Sequence, residues 1–178
     1  FLEPDRVIIG VDTPRAESAL REAYASLIER GYPFLVTIPQ SAELVKYASN
    51  SFLAMKLSFI NEIADFCELI GADVENVAYG MGLDKRIGGR YLKASIGFGG
   101  SCFGKDVRAL VHRGEEEGYE FKMVKALIAV NTVRYLVVMK KLEKHLGNLK
   151  GKTITVLGLA YKAGTDDVRD AQSLRIIF

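Results

Sequence analysis

A glycine-rich stretch holds the most reactive side chain in the sequence. Cys102 lies in Gly97-Phe98-Gly99-Gly100-Ser101-Cys102-Phe103-Gly104-Lys105-Asp106, just ahead of a helix expected to start near Asp106. Backbone N–H groups and the helix dipole at such a position stabilise a thiolate, and Lys105 adds a positive charge three residues on. A thiolate so placed can attack a carbonyl carbon. The glycines suggest a backbone that must come close to a bulky ligand. Cys67 differs: it sits between Phe66 and Leu69 in a long helical run and reads as a small buried apolar residue. Lys46 and Asn50 are four apart on that same run and share a face. Asp106 reads first as a helix N-cap. Arg86, Arg90 and Lys93 fall among glycines, where cations and backbone N–H groups suit anions, phosphate included. His112 and His145 have no Cys or His at ligand spacing, so no metal site is expected.

These residues need elements to position them. Arg6–Val11 is β-branched and reads as a strand, and Phe34–Ile38 as a second. Between them Thr13-Pro14 opens a helix that should run to Gly31. This strand–helix–strand order is expected to be the tail of an α/β unit. Ser41 is the expected N-cap of a helix reaching about Leu69, roughly 40 Å long. Its widely spread apolar residues call for partners on more than one side. Asp73 should cap a short helix to about Tyr79. Gly82–Lys105 carries seven glycines in 24 residues and reads as a long functional loop. Asp106 should cap a helix ending at Gly114, and a further helix should run from Phe121 to His145, stopped by Gly147. Lys152–Gly158 reads as a new strand entering a glycine turn, as at the start of an α/β nucleotide-binding domain. Gly158-Leu159-Ala160 is nonetheless a poor match to a dinucleotide fingerprint.

The 178 residues are 49% apolar and 26% charged, the balance of a soluble globular protein. The net charge of +2, from 24 basic and 22 acidic residues, gives no field that argues for nucleic acid. No apolar run reaches membrane-span length. Two cysteines make no disulfide framework, so reduced thiols and a cytoplasmic location are expected. Phe1 opening almost directly into a strand, and an apolar stretch running to Phe178, create the expectation of a piece of a longer chain.

Gly97–Asp106 resembles the active-site signature of the UDP-glucose and GDP-mannose dehydrogenase family. Ala42–Ala54 resembles the start of that family's central helix, Asp84–Gly88 and Tyr91–Ser95 its substrate loop, and Val156–Lys162 with Thr165–Arg169 the start of its UDP-binding domain. The segments fall in the family's order and cover nearly the whole chain. The resemblance implies a mostly α fold with α/β ends. The end of an NAD-binding, Rossmann-like domain would span residues 1–40. A helical dimerisation and catalytic domain built on the long helix would span 41–148, and the start of a second Rossmann-like domain, for UDP, 149–178.

The implied reaction oxidises the C6 alcohol of UDP-glucose to the carboxylate of UDP-glucuronate, consuming two NAD. Cys102 would attack the intermediate aldehyde to give a thiohemiacetal, and oxidation would leave a thioester for water to hydrolyse. Lys46 would stabilise oxyanion character, Asn50 would orient the sugar, and Asp106 would help Lys46 place water. Lys46, Asn50, Tyr91, Leu92, Lys93, Ala94, Ser95, Gly99 and Lys162 would contact the nucleotide-sugar, and Arg86 would reach the partner subunit's site in a homodimer. Lys105 and Arg169 would lie near NAD. The chain departs from the family at Gly104, where Pro is common, and it lacks most of the NAD domain, so alone it is expected to be inactive. Ser101 argues against the UDP-N-acetyl-hexosamine branch, which typically has His there, and Phe98 and Phe103 favour UDP-glucose over GDP-mannose. GDP-mannose or another UDP-hexose is the alternative substrate. A helical dimerisation module is the alternative role.

Overall fold

A parallel pair of strands, β1 (Val7–Gly10) and β2 (Phe34–Thr37), opens the computed structural model, which describes residues 2–178. Val7 lies opposite Phe34 and Gly10 opposite Thr37. The crossover consists of α1 (Pro14–Ala23) and α2 (Ala25–Glu29). Thr13 caps α1, its hydroxyl oxygen accepting from the Ala16 N–H at 3.2 Å, and Pro14 occupies the first turn. The single helix expected up to Gly31 is interrupted at Tyr24. There the Leu27 N–H bonds back to the Tyr24 carbonyl at 3.0 Å in a tightened turn, and the Tyr24 ring packs 6.2 Å from Phe34. Gly31 follows with φ +81°. At the end of β1, a Cβ on Gly10 would lie 2.5 Å from the Pro39 Cα, so only glycine admits this close approach.

Helix α3 (Pro39–Ile70) has 32 residues and is about 48 Å long, longer than expected. It begins at Pro39, and Ser41 lies inside it rather than capping it. Proline suits a first turn, where its missing N–H has no helical partner to lose. Chain contacts divide the molecule within this helix, into one unit up to Ser49 and another from Asn50 onward.

In the second unit, α3 buries Ser51, Ala54, Ser58, Asn61 and Ala64 at spacings of three and four. These small side chains allow close approach: the Ser58 hydroxyl donates to the Leu127 carbonyl of α6 (Lys122–Val133) at 3.2 Å. Phe52, Phe59 and Phe66, seven residues apart, remain exposed. Asp73 caps α4 (Val74–Leu83), as expected, accepting from the Glu75 N–H at 2.9 Å.

Helix α5 (Phe103–Glu116) starts three residues before Asp106, so Cys102 rather than Asp106 is the N-cap residue. Gly114 does not end α5. It lies within the helix, where a Cβ would come 2.6 Å from the Phe121 ring, and the helix ends beside Gly118 at φ +70°. The expected Phe121–His145 helix is two: α6 and α7 (Tyr135–Leu146) meet at Arg134, whose side chain is drawn to Asp65 and to the Ser95 carbonyl. Gly147 stops α7 with φ +69°.

The final element is α8 (Gln172–Ile177). Lys152–Gly158 forms no strand. Its composition favours one, but β1 and β2 pair with each other, and without a ladder partner β-branched residues do not make a strand.

Candidate active site

Cys102 is exposed at the N-terminus of α5, with its Sγ 3.7 Å from the Ser101 hydroxyl. The Asp106 N–H bonds to the Cys102 carbonyl at 2.9 Å, tying the thiol-bearing residue into the helix's first turn. Asp106 itself is 3% exposed. One of its oxygens accepts from Asn50 Nδ2 at 2.6 Å and the other pairs with Lys105 Nζ at 3.2 Å. A buried carboxylate held this way stays oriented. Residues 56 apart in sequence are thereby joined beside the cysteine. Lys46, exposed on α3 one turn before Asn50, belongs to the first unit.

The glycines of the loop lie against another part of the chain. A Cβ on Gly99 would collide with the Asp170 carbonyl, and one on Gly100 would lie 2.8 Å from the Tyr161 ring. On Gly104 it would lie 2.9 Å from the Asp170 carboxylate and 3.2 Å from the Arg108 guanidinium, which bond to each other at 2.9 Å. At all three glycines a Cβ would meet the 161–172 segment of the chain itself. The Gly100 N–H donates to the Arg169 carbonyl at 2.7 Å across the same seam.

Arg169 forks onto Asp167 at 2.9 and 2.7 Å. That fork holds the guanidinium above its ordinary range, with smaller electrostatic contributions from the nearby Cys102 and Tyr161 side chains. The same fork lowers Asp167 from 3.8 to about 2. Lys162 extends over the Tyr161 ring, 5.4 Å from its centre.

The other residues expected to contact a nucleotide-sugar are separately arranged. Arg86 is exposed and forks onto Asp84, which raises its guanidinium above the ordinary range. Its turn is fastened by Lys56, whose ammonium donates to the Ile87 and Gly88 carbonyls at 2.9 and 3.1 Å. Tyr91 adopts φ +65° with its ring 6.1 Å from Phe103. The Leu92 side chain is buried, Ala94 is half-buried, and Lys93 and Ser95 are exposed. Lys93 lines an open groove of about 410 Å³ with Tyr79, Leu83 and Gly89. Among the described residues no cluster of His, Cys, Asp or Glu could hold a metal ion, and no helix is long and apolar enough to cross a membrane.

Sequence reading missed Asn61, Asn131, Arg134 and Gln172, which hold the loop backbone. Their signal was available: Asn61 and Asn131 interrupt apolar helical runs, and a polar side chain in such a place must find a partner.

An exposed thiol at a helix N-terminus, near the buried Asp106 carboxylate with its Asn50 partner and near flanking cations, makes a candidate cysteine-centred site on a mostly helical scaffold. Residues 40–133 match the central domain of the UDP-glucose/GDP-mannose dehydrogenase family, and the chain belongs to that family. It is 51% identical to a UDP-glucose 6-dehydrogenase from Rickettsia felis over 99% of its length, and 47% identical to one from Bacillus subtilis over 97%. It also resembles the structure of a UDP-glucose dehydrogenase from the hyperthermophilic archaeon Pyrobaculum islandicum, with a TM-score of 0.94, 44% identity and 98% of this chain covered. The chain spans 40%, 38% and 40% of the lengths of these three relatives.

Proposed function

We propose that the protein containing this chain oxidises UDP-glucose to UDP-glucuronate with Cys102 as nucleophile. The observation that carries the reading is the Asn50–Asp106 hydrogen bond beside Cys102, which joins two family motifs around one reactive thiol. In the aldehyde-oxidising half of the reaction, the Cys102 sulfur attacks the C6 aldehyde carbon and the carbonyl oxygen takes a proton, giving a thiohemiacetal. Loss of hydride from that carbon, together with the proton of its hydroxyl, gives a thioester, and water then releases the carboxylate and restores the thiol. Lys46 and Asn50 stabilise negative charge developing on oxygen, and Asp106 helps place the water. Tyr91–Ser95, Gly99 and Lys162 contact the nucleotide-sugar, and Arg86 reaches the partner's site.

NAD, when bound, supplies the hydride acceptor. Lys105 and Arg169 suit its pyrophosphate, since both are cations 70% exposed at the Cys102 end of α5 and the adjoining seam. In this reading residues 1–40 close an NAD-binding Rossmann-like domain, 41–148 form the helical dimerisation and catalytic domain, 149–178 open a UDP-binding domain, and the enzyme is cytoplasmic. The exposed Phe52, Phe59 and Phe66 support a homodimer through the central helices, because seven-residue apolar spacing is the pattern of paired helices.

The test is turnover of UDP-glucose with NAD by the full-length protein. Cys102→Ala should abolish formation of UDP-glucuronate, by about a thousandfold or more. Turnover at an unchanged rate would remove Cys102 from the chemistry.

A further inference from the structure

The backbone from Ser95 to Phe98 lies in neither helix nor sheet, yet side chains bond the polar groups at both its ends. The Ser95 N–H donates to Asn61 Oδ1 at 2.7 Å, and its carbonyl accepts from Arg134 Nε at 3.0 Å. At Phe98 the N–H donates to Asn131 Oδ1 at 2.8 Å, while the carbonyl accepts from Asn131 Nδ2 at 3.1 Å and Gln172 Nε2 at 3.3 Å. Asn131 thus grips both sides of one residue, as a neighbouring strand would. It also fits the glycine next door: a Cβ on Gly97, at φ +110°, would lie 2.7 Å from Asn131 Oδ1. Arg134, one turn on, reads the other end of the tetrapeptide and is itself paired with Asp65.

We propose that Asn131 is a positioning residue whose carboxamide sets the Phe98 peptide and, through it, the spacing of the substrate loop. This rests on the functional reading above, in which Tyr91–Ser95 and Gly99 contact the nucleotide-sugar on either side of the gripped tetrapeptide. Cys102 has its own restraints, through the first turn of α5 and the Gly100–Arg169 bond. Loss of the Asn131 grip therefore weakens sugar-nucleotide binding more than the chemical step.

Asn131→Asp in the full-length protein keeps the acceptor for the Phe98 N–H, removes the donor to the Phe98 carbonyl and sets a carboxylate against it. The KM for UDP-glucose should rise about tenfold, the effect of one lost hydrogen bond of this kind, with kcat and the KM for NAD little changed. A folded variant whose KM for UDP-glucose stays within about twofold of wild type, or whose three constants worsen together, overturns the proposal. Amide hydrogen exchange at Phe98 in the wild-type protein gives a reading that does not depend on a folded variant. The amide should be protected and should slow further on adding UDP-glucose; fast exchange, or protection indifferent to UDP-glucose in a protein that oxidises it, overturns the proposal. A wild-type protein that fails to oxidise UDP-glucose defeats the functional reading separately, because protection of Phe98 without the nucleotide still reports the grip.

Discussion

Residues 95–102 and 150–159 are both irregular, but they are held very differently. In the first, Phe98, Gly99 and Gly100 are buried and the backbone is bonded to side chains of α3, α6 and α8. In the second, every residue is exposed, Leu157 at 92%, although its β-branched and apolar composition looks more like an ordered element. Order in this chain follows from finding partners for backbone polar groups, not from propensity. Gly97, Gly99, Gly100 and Gly104 each have a neighbour that a Cβ would meet within 3 Å.

The contrast can be broken most forcefully at the glycines. Gly99→Ala sets a methyl against the Asp170 carbonyl, and should destabilise the chain by about 2–3 kcal/mol in urea unfolding. Gly158→Ala meets nothing within 4 Å and has only its φ of +87° against it, for about 1 kcal/mol. Equal losses at the two sites would remove the distinction. A smaller effect is expected with pH. Because the Arg169 fork depresses Asp167, its contribution is complete above 3.8 and is lost as pH falls through about 2. The Asp167 carboxyl resonance should therefore titrate near 2, and a midpoint near 3.8 would mean that the fork does not form in solution. The smallest effect belongs to Leu157→Ser, which should change stability by no more than about 0.5 kcal/mol because the side chain is already in water.

Much of this arrangement was legible in the sequence. The helix start at Thr13-Pro14, the cap at Asp73 and the stops at Gly31 and Gly147 follow from local chemistry and needed no tertiary information. Cys102 at a helix start was read correctly to within a few residues. Several misreadings involve contacts beyond the local sequence. Asp106 is a good cap by composition, but its carboxylate is taken by Asn50. Gly114 is a plausible stop, yet the Phe121 ring requires it inside α5. Arg134 breaks a helix that its own sequence would continue, because its side chain is engaged by α3 and the substrate loop. The strand expected at Lys152–Gly158 failed for the converse reason, since no local signal reveals whether a ladder partner exists.

The row of Phe52, Phe59 and Phe66 carries a geometric consequence. Seven residues fall short of two full helical turns, so each ring is displaced about 20° around α3 from the one before. Over the row this amounts to a slow left-handed spiral. A second helix covering all three rings cannot lie straight alongside α3. It must cross at a shallow angle of about 20° and wind with the row, which fixes the handedness of any pairing made on this face.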